Sequence, residues 1–365
     1  MKLTLIWKQR VKRKMSKTKK SKKKSAKKGK QSLTLKTVIG RIFTVLGLTV
    51  LIALVFLIAV IFVLLKGPSQ QASKLFTLSC YETSACKWVP RIFLSSAEYD
   101  AIINPVSEAD SYRELPIASI ASSVSSDVVD NEFIATVPDA IEIVDIKGAT
   151  YQGKLMLVHD PSKVFFASLD SFGGVGLTLS GFLDKYGAVG CTNAGGFVDE
   201  GGTGKGGIPD GIVIQDGRIT YGSAGGTYRG LAGFDGNNVL HVGDMTGQQA
   251  LDAGIVNGTN FSGGPVLIKD GQRMTGFVSG INPRTCIGQT ADGTVLLLAI
   301  EGRMADSLGA TFEDLTDIME EYGAINAVNM DGGSSSGMYY QGERITRSCS
   351  VIGDRPVPTA ILVME

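Results

Sequence analysis

Hydrophobic and polar positions change their period several times along this chain, and each change marks an element. Residues 42–65 form a run without charge and with almost nothing polar. At 1.5 Å per residue that is about 36 Å of helix, long enough to cross a bilayer with some tilt. Residues 141–146 then alternate as a half-buried strand does, and 153–158 and 164–167 continue the β signal. Residues 177–186 predict a helix closed by Gly187, and 188–193 a buried strand. Asp216-Gly217 sits between two strand-like runs, 211–215 and 218–221, with Asp270-Gly271 and Asp292-Gly293 in similar settings. Asp-Gly supports the primed hairpin turns that match strand twist. Residues 231–234 and 239–242 predict a further strand pair, and 248–251 a short helix. Residues 311–322 carry one apolar stripe, Phe312, Leu315, Ile318, Met319 and Tyr322, at helical spacing, and Gly323 follows as the stop. Buried strands are expected at 295–300 and 324–328. Many hairpins with few helices predict an α+β fold, mainly antiparallel, plus one N-terminal transmembrane helix.

Charge divides the chain. Residues 1–41 hold about 17 of the 36 basic residues and none of the 35 acidic ones, so the remainder carries roughly −16. An acidic body repels phosphate backbones, which argues against nucleic acid as a partner. The basic tail at 1–37 stays in the cytoplasm by the positive-inside rule. It is suited to lie on anionic lipid, each Lys near the surface contributing about 1 kcal/mol. The run is longer than a signal-peptide core and no small-residue cleavage site follows, so 38–66 reads as an uncleaved anchor with everything beyond Lys66 outside, in a bacterial plasma membrane. Residues 67–137 read as linker, stalk and accessory region, with Ser95 and Glu98 at capping-box spacing and a loose Ser-rich stretch at 119–127. The main domain is expected over 138–365. Five cysteines leave at least one without an intrachain partner. Cys80 and Cys86 are close enough in sequence to close a small loop, and the others read as small core residues. His159 and His241 lie in separate strand-like stretches, which weakens a zinc or Ser-His-Asp proposal.

Candidate chemistry gathers where strands end at glycine or proline. Asn329-Met330-Asp331-Gly332-Gly333-Ser334-Ser335-Ser336 places a carboxylate beside two glycines and three hydroxyls, with Asn329 and Asp331 expected on one strand face. Asn193 runs into Gly195-Gly196, Arg284 and Thr285 follow Pro283, and Glu301-Gly302-Arg303 closes an apolar strand. Arginine forms paired hydrogen bonds to phosphate or carboxylate, a geometry lysine cannot match.

In order along the chain, Asn-Ala-Gly-Gly-Phe at 193–197, Gly-Gly-Pro at 263–265, Asn-Pro-Arg-Thr-Cys-Ile-Gly at 282–288, Glu-Gly-Arg at 301–303 and Asn-Met-Asp-Gly-Gly-Ser-Ser at 329–335 resemble the phosphodiester glycosidase domain family. That family includes enzymes that remove N-acetylglucosamine from a phosphodiester-linked mannose phosphate, and many bacterial surface proteins. The resemblance runs from about Ile141 to the C-terminus. Glu301 stands where the family more often has Asp, and Cys286 replaces a usual Ala. The resemblance implies cleavage between an anomeric carbon and a phosphate ester in a phosphodiester-linked sugar or cell-envelope glycan such as an exopolysaccharide. Asp331 is then the first candidate for stabilising or attacking the oxocarbenium centre, with Glu301 second. Arg284 is the first candidate for holding the phosphate, helped by Thr285, Ser334, Ser335 and the N–H groups of Gly332 and Gly333. Asn193, Gly196, Arg303 and Asn329 complete the expected substrate surface. No cofactor is required; a divalent cation between Asp331 and Glu301 fits the chemistry without any ligand spacing demanding it. Two non-catalytic readings stand beside this one: the same polar surface binding phosphate-bearing surface polysaccharide without cutting it, and an assembly factor whose anchor and 74–135 region engage partner membrane proteins.

Overall fold

The structure, a computed structural model, describes residues 35–83, 86–104, 140–199, 204–350 and 353–365. The basic tail up to residue 34, the Ser-rich stretch at 119–127 and the expected domain start at Pro138 lie outside the described residues. The chain divides into two compact units, Met1–Ile61 and Phe62–Glu365. The first contains most of α1 (Leu35–Lys66), a 32-residue helix. The most apolar 18 residues of its Val38–Lys66 stretch have mean hydropathy 3.4, and the stretch is long and apolar enough to cross a membrane.

The expected linker is shorter than the sequence suggests, because the Ser69 hydroxyl accepts from Ala72 N–H and starts a helix at once. Three helices, α2 (Gln70–Tyr81), α3 (Val89–Phe93) and α4 (Ser96–Ile103), occupy the described residues of the expected linker and accessory region. The Ser95–Glu98 capping box forms in both directions at the start of α4.

The strands follow as β1 (Ile141–Lys147), β2 (Gln152–Val158), β3 (Val164–Ser168), β4 (Gly190–Asn193), β5 (Val213–Gln215), β6 (Arg218–Tyr221), β7 (Thr227–Asp235), β8 (Leu240–Thr246), β9 (Ile255–Asn260), β10 (Val266–Lys269), β11 (Gln272–Arg273), β12 (Arg284–Thr290), β13 (Val295–Ile300), β14 (Ala324–Met330), β15 (Met338–Tyr340), β16 (Glu343–Arg344) and β17 (Thr359–Val363). Helices α5 (Leu179–Tyr186), α6 (Gly247–Asp252) and α7 (Phe312–Glu321) are interleaved with them. A seven-stranded sheet runs β1-β2-β13-β12-β14-β10-β11, and two five-stranded sheets run β16-β15-β4-β17-β3 and β6-β5-β9-β7-β8. Adjacent strands pair antiparallel throughout, as the hairpin-rich sequence predicts.

The two-residue period of a strand sorts the core. Along β13, Val295, Leu297 and Ala299 join an apolar cluster fed by all three sheets, including Met156, Phe166, Phe234, Ile287, Val328, Met338 and Ile361. Leu296, Leu298 and Ile300 face the other way, into a second cluster with Cys286 and the α7 stripe of Phe312, Leu315 and Met319. β13 is therefore buried on both faces, which is why it reads as continuous hydrophobe. Leu297→Ala would cost about 2–5 kcal/mol. Thr311 caps α7 in a capping box with Asp314, and Gly323 at φ +76° ends it. Asp216-Gly217 and Asp270-Gly271 both take positive φ at the predicted primed turns. Asp292-Gly293 belongs to a longer turn in which Asp292 accepts from Thr294 N–H, and Gln341-Gly342 makes a positive-φ turn that lacks the Asp-Gly signature.

Candidate active site

β4 and β14 run out side by side, and one asparagine joins them. Asp331 N–H donates to Ala194 O at 2.9 Å, and Asn193 Nδ2 donates to Asp331 O at 2.6 Å. Asn193 Oδ1 accepts from Thr285 Oγ1 at 2.7 Å and from Gly337 N–H at 3.2 Å. Asn193 and Thr285 are both fully buried, so they set the position of the Asp331 turn instead of forming its surface. Gly333, at φ +65°, folds the chain back and donates its N–H to Pro283 O at 2.9 Å. The Gly333–Ser335 turn then returns the Ser335 hydroxyl to Asp331, whose Oδ1 also accepts Gly332 N–H at 2.8 Å.

The Asp331 carboxyl is consequently perturbed. Burial pushes its pKa up to about 7, the nearby Asp210 charge adds to the rise, and the Ser335 and Gly332 hydrogen bonds and the Arg355 charge oppose it. A carboxyl poised there exchanges a proton near neutrality.

Asp210, Asp199, Phe197, Ser262 and Arg355 are absent from the residues picked from the sequence. Asp210 Oδ2 accepts from Ser262 Oγ at 2.7 Å, while Oδ1 is buried with no hydrogen-bond partner among the described residues. Burial raises its pKa. Gly196 makes room for it: a Cβ at that position would stand 2.5 Å from Asp210 Oδ2. Arg355 pairs with Asp199 at 2.7 and 2.9 Å and lies 4.8 Å over the Phe197 ring. It also approaches Ser334 Oγ at 3.4 Å, and its charge acts on Asp331. The signal that picked Arg284, a charge flanked by glycine or proline, is present at Pro209-Asp210-Gly211 and Gly353-Asp354-Arg355-Pro356 as well.

Arg284 departs from the expectation. It precedes Thr285 by one residue, so its side chain leaves the sheet on the opposite face, towards α7. It is 4% exposed. Its guanidinium donates to Glu82 Oε2 at 2.6 Å, Gly280 O at 2.8 Å and Ala310 O at 3.2 Å, and stacks 4.2 Å from the Phe312 ring centroid. Glu82, just past α2, also accepts from Gly280 N–H and Asn282 Nδ2. Arg284 thus docks the α2 end onto the domain and leaves no fork for a phosphate. Glu301 differs too: Arg347 gives its carboxylate an ion pair at 2.7 Å and a backbone N–H at 2.7 Å, so its oxygens are engaged away from any cation shared with Asp331. Among the described residues no group of three or more His, Cys, Asp and Glu side chains is gathered for a metal. Glu301 and Arg347 line a depression with Gly333, Ser336, Thr346 and Cys349. Arg303 stays exposed, bonded to Thr83 and Asn282 and standing over Gly333. β14 ends at Met330, so Asn329 sits inside the ladder opposite Cys286, buried, and Asp331 lies off it; the expected shared face does not form. All five thiols are free, with Cys80, Cys191 and Cys286 buried.

Residues 186–364 match the family model described as phosphodiester glycosidase. The chain carries a domain of that family. It is 31% identical over 148 residues to the SPbeta prophage-derived uncharacterized protein YomE of Bacillus subtilis, covering 38% of this chain and 22% of that one. It is 25% identical over 144 residues to the N-acetylglucosamine-1-phosphodiester alpha-N-acetylglucosaminidase of Mus musculus, covering 34% and 28%. The matched stretches thus span under a third of either relative. Among solved structures, the catalytic domain of the zebrafish N-acetylglucosamine-1-phosphodiester alpha-N-acetylglucosaminidase, auto-inhibited by its pro-peptide, superposes with TM-score 0.52 at 19% identity, over 63% of this chain and 85% of that one. The phosphodiester glycosidase domain and the antiparallel α+β fold expected from the motifs are therefore both present.

Proposed function

We propose that this domain hydrolyses a sugar-1-phosphate diester, and that Asp331 is its central carboxylate. The observation that carries the reading is the Asp331 carboxyl, raised to about 7 beside Asp210 and within the field of Arg355. Ionised, Asp331 stabilises the positive charge that develops at the anomeric carbon as its bond to the phosphate oxygen breaks. Water adds to that carbon, and its proton passes to the unpartnered Asp210 Oδ1. The phosphate leaves as a monoester, a good leaving group that needs charge neutralisation more than protonation. Arg355 and Ser334 take the phosphate-side role first expected of Arg284. Ser335 and Gly332 hold Asp331, while Asn193 and Thr285 hold the turn.

The apolar helix and the basic tail support a cell-envelope substrate: in this reading the tail is cytoplasmic on anionic lipid, α1 spans the plasma membrane and the domain faces outward onto a phosphodiester-linked sugar of a surface glycan. The test is incubation of the detergent-solubilised full chain with a panel of sugar-1-phosphate diesters, followed by detection of free sugar. Binding of those diesters without release of sugar would replace the enzyme by a polysaccharide-binding protein. Protease added to intact cells should remove the domain and spare the lysine tail; a protected domain overturns the outward orientation.

A further inference from the structure

The three helices after the anchor carry a feature that neither the catalytic reading nor the fold requires. The Phe93 ring, at the end of α3, meets the Phe62 ring edge-on with centroids 6.4 Å apart. Phe62 belongs to the apolar Val38–Lys66 stretch. It lies four residues before Lys66, about 6 Å along the helix axis from that charge. Whatever packs on Phe62 is therefore at the depth where acyl chain gives way to headgroup. The arrangement is braced: Lys66 pairs with Glu98 at 2.6 Å, and Ser73 Oγ donates to Leu65 O at 3.0 Å.

The helix that carries Phe93 also turns apolar groups outward. Trp88 is 61% exposed and Ile92 62%, one helical turn apart and so on one face. Lys87 and Arg91, both exposed, repeat the same spacing one residue earlier. On the other side Pro90 and Leu94 are buried against the module. An indole and a branched aliphatic side chain beside two cations is the composition that bilayer interfaces favour, with the ring at headgroup level and the cations reaching lipid phosphate.

We infer that the Trp88–Ile92 edge of α3 is a lipid-binding surface that dips into the leaflet on the domain's side and holds the module against the bilayer. The occupant is the membrane itself, because Phe93 of the same helix packs on Phe62, which lies inside the stretch already suited to lipid.

The inference rests on α1 spanning a bilayer and is independent of the catalytic assignment. The test uses the full chain as Trp7→Phe, so that Trp88 is the one remaining tryptophan, reconstituted in lipid nanodiscs. Phosphatidylcholine brominated near the top of the acyl chain should quench Trp88 emission by about half, and lipid brominated near the terminal methyl should quench it less. Adding Ile92→Asp should cut the shallow quenching about twofold while the far-ultraviolet spectrum stays unchanged. Emission that is the same in brominated and unbrominated discs, or quenched only by aqueous iodide, overturns the lipid contact. A chain that does not co-purify with nanodiscs overturns the span and the inference together, and leaves turnover in detergent to judge the catalytic reading separately.

Discussion

Two charged corners stand at the same end of the central sheet, each one residue beyond the Thr285–Met330 pair of β12 and β14, and they are built on opposite rules. In the Arg284 corner a buried cation meets a carboxylate, two carbonyls and an aromatic face. In the Asp331 corner the acceptors are met by neutral donors, a second carboxyl stands near, and one oxygen of that second carboxyl is left without a partner among the described residues. Charge that is fully matched holds elements together; breaking such a pair is expensive, yet nothing in it is free to meet a ligand. Charge that is buried and under-matched destabilises the fold and shifts in pKa, the condition in which a carboxyl exchanges protons or faces a developing cation. Both corners show the same mark in sequence, a charge next to glycine or proline at a strand end. The face on which the side chain leaves decides which corner it becomes.

The comparison breaks most visibly at Asp331. Asp331→Asn keeps the shape and the Gly332 bond but removes the charge, so kcat should fall about 1,000-fold or more with KM little changed. Steady-state kinetics on folded variant settles it; near-normal turnover would move the chemistry away from this corner. The next largest effect belongs to the other corner. Glu82→Ala strands the buried Arg284 charge and should destabilise the protein by about 3 kcal/mol. That reads as a lowered Tm, with kcat/KM within about twofold of the parent at temperatures where both are folded. A normal Tm with a many-fold rise in KM would return Arg284 to the substrate surface.

Asp210→Asn sharpens the comparison from within the active corner. Losing the proton acceptor should lower kcat about 10- to 100-fold. Losing the neighbouring negative charge should also move the pH dependence. On the proposed mechanism the parent needs Asp331 ionised, so its kcat/KM should rise with pH through about 7. In Asp210→Asn that limb should move to lower pH, because the like charge that raised the Asp331 pKa is gone. An unmoved limb with a lowered rate would mean that the two carboxyls do not sense each other.

Much of the fold was legible, because it rests on short-range signals. Asp216-Gly217 specified a turn, Thr311 and Gly323 bracketed α7, and the unbroken run at 295–300 marked a strand buried on both sides. The site was legible only as a place. Asp331 and Asn193 meet as the motif order implies, but Asp210 and Arg355 come from loops on other strands that converge through sheet topology, which no local pattern encodes. The burial and pairing of Arg284 were hidden for the same reason. Its partner Glu82 is about 200 residues away in sequence, in a stretch that reads as stalk.

The smallest effect is thermodynamic and runs opposite to the kinetic one. The Asp331 pKa is raised in the folded state, to about 7, above its ordinary value near 3.8. Between those values the folded protein holds a proton that the unfolded chain has released, so stability falls as pH rises through that window. Below it both states are protonated and nothing is lost; above about 7 the loss is complete and constant. Asp331→Asn cannot ionise and escapes the loss. The inactive variant should therefore be the more stable protein at pH 8, by about 1–2 kcal/mol, because Asn keeps part of the hydrogen bonding and the turn retains some contact with water. The Tm difference between variant and parent, measured in detergent from pH 4 to pH 9, should widen up to about pH 7 and then level. A difference that is flat across that range would mean Asp331 is not held against its own charge, and the contrast between the two corners would lose its electrostatic basis.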